Sequence, residues 1–444
     1  MPHSSVHPTL PDALPDFARD PFAWLRSQAA LAPVQRFRFG SLHGFMVGDP
    51  GVIIEVLRDI ETFAKGPYAG QQGLGLMLGD GPVTSDGARW RGVRRILQPE
   101  WTAARAASAP SRFAPVLDDW CAGWDARADS GAPFDLLDDT RRWILRAVLR
   151  EFLDDETCGG FEDLVEVVTR AEDGMGPAWL YLMANLSPAH VDRFRQGWTD
   201  GRARLDRVLY AIIDAQAASA STMVGRLLAG PALAEVEPLE PRRLLRDLIA
   251  TIVLAGTGTT ASALYWVLYL LALHPAASQR LRDELAADPP SAWSDVIDRN
   301  RYPWLDACVQ ETLRLYPSVW FFDRLTTRPT TLAGVDIPDG AVVLLSNYAL
   351  HRQPTWFPSP DAFQPERFLA APPVRGSYLP FGFGPRYCMG APYALQEIAM
   401  ASAAFVTRFD IDMGSGDPTP QLAATGGARP RKPVAATLRR RAGA

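Results

Sequence analysis

Cys388 is the residue around which chemistry assembles most readily. It lies in the run Pro380-Phe381-Gly382-Phe383-Gly384-Pro385-Arg386-Tyr387-Cys388-Met389-Gly390. Gly382 and Gly384 let the backbone turn tightly around a buried group. Gly390 permits the close approach of a flat ligand, and a helix starts immediately after it with Pro392 in the first turn. Cys388 is thereby placed at a helix N-terminus, where the dipole and free N–H groups stabilise a thiolate. Phe381 can shield the sulfur, and Arg386 offers a planar fork to a carboxylate. A cysteine alone is most often a core residue. This setting points instead to a thiolate ligand.

Three further groups could do chemistry. Glu311 and Arg314 are three apart on one predicted helix and can pair. Trp90 and Arg94 share a helical face, and both are donors. The run Ala255-Gly256-Thr257-Gly258-Thr259-Thr260 sits inside a long apolar helix. A glycine there costs about 1 kcal/mol relative to alanine, so Gly256 and Gly258 need a reason. One reason is close helix packing, and another is room for a ligand.

The spacing Phe381-x-x-Gly384-x-Arg386-x-Cys388-x-Gly390 resembles the haem-binding loop of cytochromes P450. Further matches follow in that family's order and span nearly the whole chain. The resemblance implies a mainly α fold with a smaller β portion, in which haem b lies between the long central helix and the cysteine-loop helix. It makes Cys388 the axial thiolate of the iron. Pro380, Phe381, Gly382, Arg386 and Gly390 surround the cofactor from the thiolate side, and Ala255, Gly256 and Thr259 from the opposite side. Trp90, Arg94, Arg324 and Arg386 become propionate partners. Glu311, Arg314 and Arg367, the last from Pro365-Glu366-Arg367-Phe368, become a buried structural triad. Thr259, with Gly258 and Gly256, occupies the catalytic stretch where the helix opens over the iron and the threonine helps deliver protons to dioxygen.

One position departs from that pattern. The residue before the threonine is usually Asp or Glu, and here it is Gly258. The threonines can organise water but hold no proton reservoir near neutral pH. The expected activity remains monooxygenation of a sizeable hydrophobic substrate by O2, with a peroxide-using peroxygenase or a non-catalytic haem-thiolate sensor as alternatives. The resemblance places substrate contacts at Tyr68, Leu74, Leu76, Met77, Trp179, Met183, Ala255, Val319, Trp320 and Phe322. These large, uncharged residues suit a terpenoid, carotenoid or fatty acid. The stretches 313–325 and 365–384 resemble a bacterial subgroup that hydroxylates carotenoid rings. No flavin or reductase domain fits in the remaining residues, so electrons are expected from a separate ferredoxin. Arg89, Arg91, Arg94, Arg95 and Arg105 read as a basic cluster on the helix starting at Ala88, with docking near Arg89, Arg91 and Arg95.

The elements that must position these residues are mostly helical. Helices are predicted over 11–30, 52–62, 241–273, 303–316 and 391–409, with a strand pair over 37–47 and a long glycine-rich loop over 65–87. Pro241 opens the central helix and His274-Pro275 closes it. The β-rich parts are expected near 31–50, 318–346 and 410–440, within a single catalytic domain spanning 1–444. Apolar residues make up 47% and charged residues 21% of the 444, enough for a large core. The net charge of −5 gives no general case for nucleic acid or membrane binding. The four cysteines form no CxxC pair, so Cys121, Cys158 and Cys308 read as core residues. The N-terminus lacks a signal-peptide pattern, and a cytoplasmic protein is expected. Residues 248–273 carry no charge and could span a bilayer by length. Their small, hydroxyl-rich centre favours a helix buried through a large protein.

Overall fold

The computed structural model describes residues 10–40, 42–66, 74–154, 160–174, 188–236, 238–414, 421–425, 427–432 and 434–441. Side chains of 172–174 and 188–200 are outside that description.

The central helix, Pro241–Leu273, is the axis of the molecule. The Glu240 carboxylate caps it by accepting from the backbone N–H groups of Arg242 at 2.9 Å and Arg243 at 2.7 Å. His274 leaves helical geometry just before Pro275. Leu264, Tyr265, Trp266 and Val267 are all buried, so the helix is covered on every side. It is long and apolar enough to cross a membrane, yet 72% of its most apolar window lies inside the protein. Helix Leu136–Leu153 packs along it. The remaining helices build one large core around this pair, in which Cys121 and Cys308 are buried. Cys158 lies outside the described residues.

The main sheet has five strands in the order Val34–Phe39, Leu42–Val47, Val342–Leu345, Phe322–Thr326, Phe63–Lys65. The first two form a hairpin, and Leu42–Val47 runs parallel to Val342–Leu345. The predicted N-terminal helix is two helices, Leu14–Arg19 and Pro21–Ala29. Asp20 ends the first and caps the second, because Pro21 cannot continue a helix. Strands Phe409–Asp412, Leu422–Ala424, Ala428–Pro430 and Ala435–Arg440 complete the C-terminal part.

An irregular stretch over 351–383 carries the chain to Cys388 without regular secondary structure beyond a short helix, Glu366–Ala370. Its order comes from a buried ion pair. Arg314 and Glu311, both fully buried, bond through Nε to Oε2 at 2.7 Å and Nη2 to Oε1 at 2.8 Å. Arg314 also donates to the carbonyls of His351, Pro360 and Ala362. Glu311 Oε1 accepts from Arg367 Nε at 3.1 Å and Gln364 N–H at 2.8 Å.

The pair reaches the cysteine through hydrogen bonds. His351 Nε2 accepts from Leu379 N–H at 2.9 Å, Gly382 N–H donates to Leu379 O at 3.0 Å, and Cys388 N–H donates to Phe381 O at 3.1 Å. Burial, then the charges of Arg314 and Arg352, push His351 from 6.5 down to about 3. An unfolded chain would protonate His351 near 6.5, whereas the folded one resists until about 3. Its contribution to stability is therefore complete above about 6.5 and is lost as pH falls toward about 3. We predict a melting temperature that drops across this window. His351→Gln, which keeps an acceptor but does not titrate, should flatten that drop, as read by thermal melts of both proteins against pH.

Candidate active site

The long helix and the cysteine loop face each other across an internal chamber of about 450 Å³. Gly382 and Gly384 adopt φ of +74° and +72°, the left-handed region that favours glycine. At Gly384 a Cβ would also come within 2.7 Å of the Leu57 carbonyl oxygen, so the loop can lie flat on helix Pro50–Arg58 only with glycine there. Gly390 then caps helix Ala391–Arg408, with Pro392 in its first turn.

Cys388 lines the chamber. Its accessible surface is that of an internal wall, because protein surrounds the sulfur on its other sides. Burial raises its pKa, while the N–H groups of Gly390 and Ala391 and the charge of Arg94 act the other way. The thiolate thus has donors waiting, and a cation bound at the sulfur would overcome the remaining cost. No His/Cys/Asp/Glu cluster able to hold a bare metal ion occurs among the described residues. Any metal at Cys388 must bring most of its own ligands.

Ala255, Gly256, Gly258 and Thr259 line the opposite wall. The central helix is assigned α-helical throughout Pro241–Leu273, through Gly256 and Gly258. The Thr259 hydroxyl donates to the Ala255 carbonyl at 2.7 Å, a back-bond that shares that oxygen with the helix's own i→i−4 hydrogen bond. Its oxygen lone pairs remain for the chamber. The central helix has one acid, Asp247, and it is not in the wall. Nothing on that helix replaces the acid missing at Gly258.

A crown of cations closes one end. Trp90 is buried in the wall, with the Arg386 guanidinium 4.5 Å and that of Arg94 6.0 Å from its ring centre. Arg94 donates to Tyr387 O at 3.1 Å. Arg386 pairs with Asp86 and donates to Ser85 O. Arg324 donates to Asp323 O at 2.8 Å. The buried Nε–H groups of Arg324 and Arg386 have no hydrogen-bond acceptor.

Lys65 is one of only two lysines in the chain, a scarcity that by itself reads as coding bias. It lines the chamber, and strand register sets it directly opposite Arg324. Like charges so placed destabilise a sheet. Burial and the neighbouring Arg324 and Arg386 push its pKa well below the usual lysine value. The strand pattern beside it was the available signal.

The expected substrate contacts divide. Met77, Ala255, Val319 and Phe322 line the chamber. Trp320 does not: it is buried in the core beside the N-terminal helices, against Phe22, and donates to Thr425 O. Phe321 takes the wall position instead. Leu76 is also outside the wall; its backbone carbonyl accepts from Arg202 Nη1 at 3.1 Å. Leu74 lines the wall; Tyr68, Trp179 and Met183 lie outside the described residues. Of the basic cluster, Arg105 belongs to the next helix, Ala103–Ser130, and pairs with Glu100. Arg89 pairs with Asp80 and Arg91 with Glu61, while Arg95 is exposed.

Comparison with known proteins decides the family. The Cytochrome P450 profile matches residues 23–438. This chain belongs to the cytochrome P450 family. It is 31% identical to cyclooctatin synthase of Streptomyces melanosporofaciens, over 92% of this chain and 90% of that one. It is 27% identical to cyclooctat-9-en-7-ol 5-monooxygenase of the same organism, over 88% of this chain and 85% of that one. The crystal structure of the cytochrome P450DA heme domain superimposes with a TM-score of 0.81 at 20% identity, covering 98% of this chain and 96% of that one. The protein is thus a P450 monooxygenase with the P450 fold, and its cofactor is haem b.

The residues fit that cofactor. Arg94, Arg324 and Arg386 gather with Lys65 beside Asp86 and Asp323; burial disfavours the Lys65 charge, which an anionic propionate of haem b would restore. The unpaired Nε–H groups supply donors for the propionates. If the crown is built for propionates, Lys65→Met should speed haem transfer to apomyoglobin by roughly tenfold. It should also raise the melting temperature of the haem-free protein by removing the cross-strand repulsion. A protein that loses stability in both states would show that Lys65 serves the sheet instead.

Proposed function

We propose that the Cys388 thiolate would hold the haem iron and that the chamber inserts one atom of O2 into a C–H bond of a sizeable hydrophobic substrate, a terpenoid before a fatty acid. The observation that carries this is Cys388 in the wall of a largely apolar chamber, facing Ala255, Gly258 and Thr259. The relatives named for cyclooctatin chemistry support the terpenoid class. Trp90, Arg94, Arg324, Arg386 and Lys65 hold the propionates. The bound haem supplies the iron chemistry that activates O2; a thiolate ligand favours O–O cleavage over reversible O2 binding.

The chain's own residues do the rest. Gly390 and Ala391 hold negative charge on the sulfur. Met77, Val319, Phe321 and Phe322 exclude water and confine the substrate over the site. Thr259 accepts hydrogen bonds while its proton rests on the Ala255 carbonyl, and it can donate only by rotating away from it. Protons reach it through water, since Gly258 holds none. A ferredoxin delivers electrons to the thiolate side, docking on the face that carries exposed Arg95 and Tyr387, with Arg89 and Arg91 tempered by Asp80 and Glu61. We place the protein in the cytoplasm as one catalytic domain over 1–444.

Two measurements test this reading. The reduced, carbon monoxide-treated protein should show a thiolate-type Soret band, and Cys388→Ser should lose it; retention of the band by the serine variant would sink the assignment. Turnover with NADPH and a ferredoxin system should exceed turnover with peroxide alone, and Gly258→Asp should raise product formed per NADPH consumed by severalfold. A reversed ranking would favour a peroxygenase. Unchanged coupling would show that water already suffices as the proton route.

A further inference from the structure

Among the described residues, the chamber wall holds two carboxyl groups, Asp323 and Glu397. Asp323 belongs to the crown, where the charges of Arg324 and Lys65 face it. Glu397 has no such company. It lies on helix Ala391–Arg408, one turn beyond Tyr393, and is 3% exposed. Tyr393 packs on Phe152, which stacks on Trp101, and all three line the chamber as well. Among the described residues no hydrogen bond and no cation reaches Glu397. Burial and then the charge of Glu151 push its pKa well above the usual carboxylate value.

The charged groups around Tyr393 and Glu397 are Glu100, Arg105, Arg112 and Glu151. Both cations among them are already paired. Glu151 is buried on helix Leu136–Leu153 and held by Arg112, Nε to Oε2 at 2.5 Å and Nη2 to Oε1 at 2.6 Å. Arg105 pairs with Glu100 at 3.1 Å. The Tyr393 hydroxyl donates to the Glu100 carbonyl at 3.3 Å and leaves nothing for Glu397. An ionised Glu397 would be a bare buried charge beside a like charge, which is costly. The carboxyl therefore keeps its proton near neutral pH, and in that form it has an O–H to donate. With no acceptor in the wall, that O–H is open to chamber water.

Thr259 lines the same chamber from the central helix, which packs against helix Ala391–Arg408. Its proton rests on the Ala255 carbonyl and its lone pairs are open, so it is placed to accept. Gly258 beside it brings no acid. We infer that Glu397 is the proton store of this site, passing protons through chamber water to Thr259 in place of the acid absent at Gly258. The proton leaves the Glu397 carboxyl oxygen for water, and water gives one to Thr259 Oγ1 as Thr259 releases its own. The carboxylate left behind refills from solvent on the side of Glu151, where Arg112 is partly exposed. The inference rests on the haem-thiolate reading above and supplies its proton route. In the balance, a C–H bond, O2, a pair of electrons from the ferredoxin and a pair of protons give C–OH and water. Peroxide gives the same products with no net proton taken up.

The test uses the haem-loaded protein and has an arm that needs no substrate. Infrared spectra at neutral pH should show the C=O stretch of a protonated carboxylic acid that shifts when imidazole enters the chamber. Glu397→Gln, which matches the neutral acid in shape, should lose that band. The second arm reads turnover of limonene, a terpene hydrocarbon, driven either by NADPH, a ferredoxin system and O2 or by peroxide. Glu397→Gln should lower the O2-driven rate roughly tenfold more than the peroxide-driven rate, because only the first draws protons through the protein. Adding Gly258→Asp to Glu397→Gln should recover most of that difference, a rescue that a packing fault would not allow. A parent protein without the carboxylic band, or a variant in which both rates fall together, would overturn the inference. A parent without a thiolate-type Soret band in its reduced carbon monoxide spectrum would strike the haem-thiolate reading instead.

Discussion

The buried pairing of Glu311 with Arg314 is the interaction on which the rest of the site depends. Two fully buried charges are costly unless every donor and acceptor is used. Here they are used to tie down chain that has little secondary structure of its own. Arg314 gathers carbonyls from 351, 360 and 362, and Glu311 gathers Gln364 and Arg367. Removing one partner of such a pair costs about 3–5 kcal/mol, because the other is left charged in the interior. The cost would fall on the stretch that leads to the cysteine loop. His351 transmits the constraint, since its carbonyl serves Arg314 and its ring serves Leu379.

Much of this was legible in the sequence, for a physical reason. Functions that require one residue type leave a mark at a single position. Gly382 and Gly384 need positive φ, Cys388 needs a helix start, and the Glu311–Arg314 spacing matches one helix face. Helix ends were readable where proline or a capping carboxylate set them, as at Pro241 and Pro275. The break at Asp20 inside the predicted 11–30 helix carried the same proline signal, at Pro21.

What stayed hidden depends on which way a side chain turns. Trp320 and Phe321 are adjacent large aromatics, and the seating of the segment against Phe22 separates the one in the core from the one facing the chamber. Leu76 and Met77 pose the same problem within one turn of helix. Lys65 stayed hidden because it reaches the chamber by strand pairing with residues distant in sequence. The basic stretch is moderated in a different way. Its arginines are near one another in sequence, but Asp80 and Glu61 from earlier in the chain, and Glu100 from within the stretch itself, take several of them up.

Arg314 binds the irregular stretch through main-chain oxygens, which every amino acid supplies equally. Side chains at 360 and 362 are therefore not what the guanidinium recognises. Evolution can rewrite such positions while the path of the chain persists, so the scaffold beneath the thiolate can outlast its own spelling. That tolerance suits a protein whose fold superimposes on a P450 structure at a TM-score of 0.81 with only 20% identity.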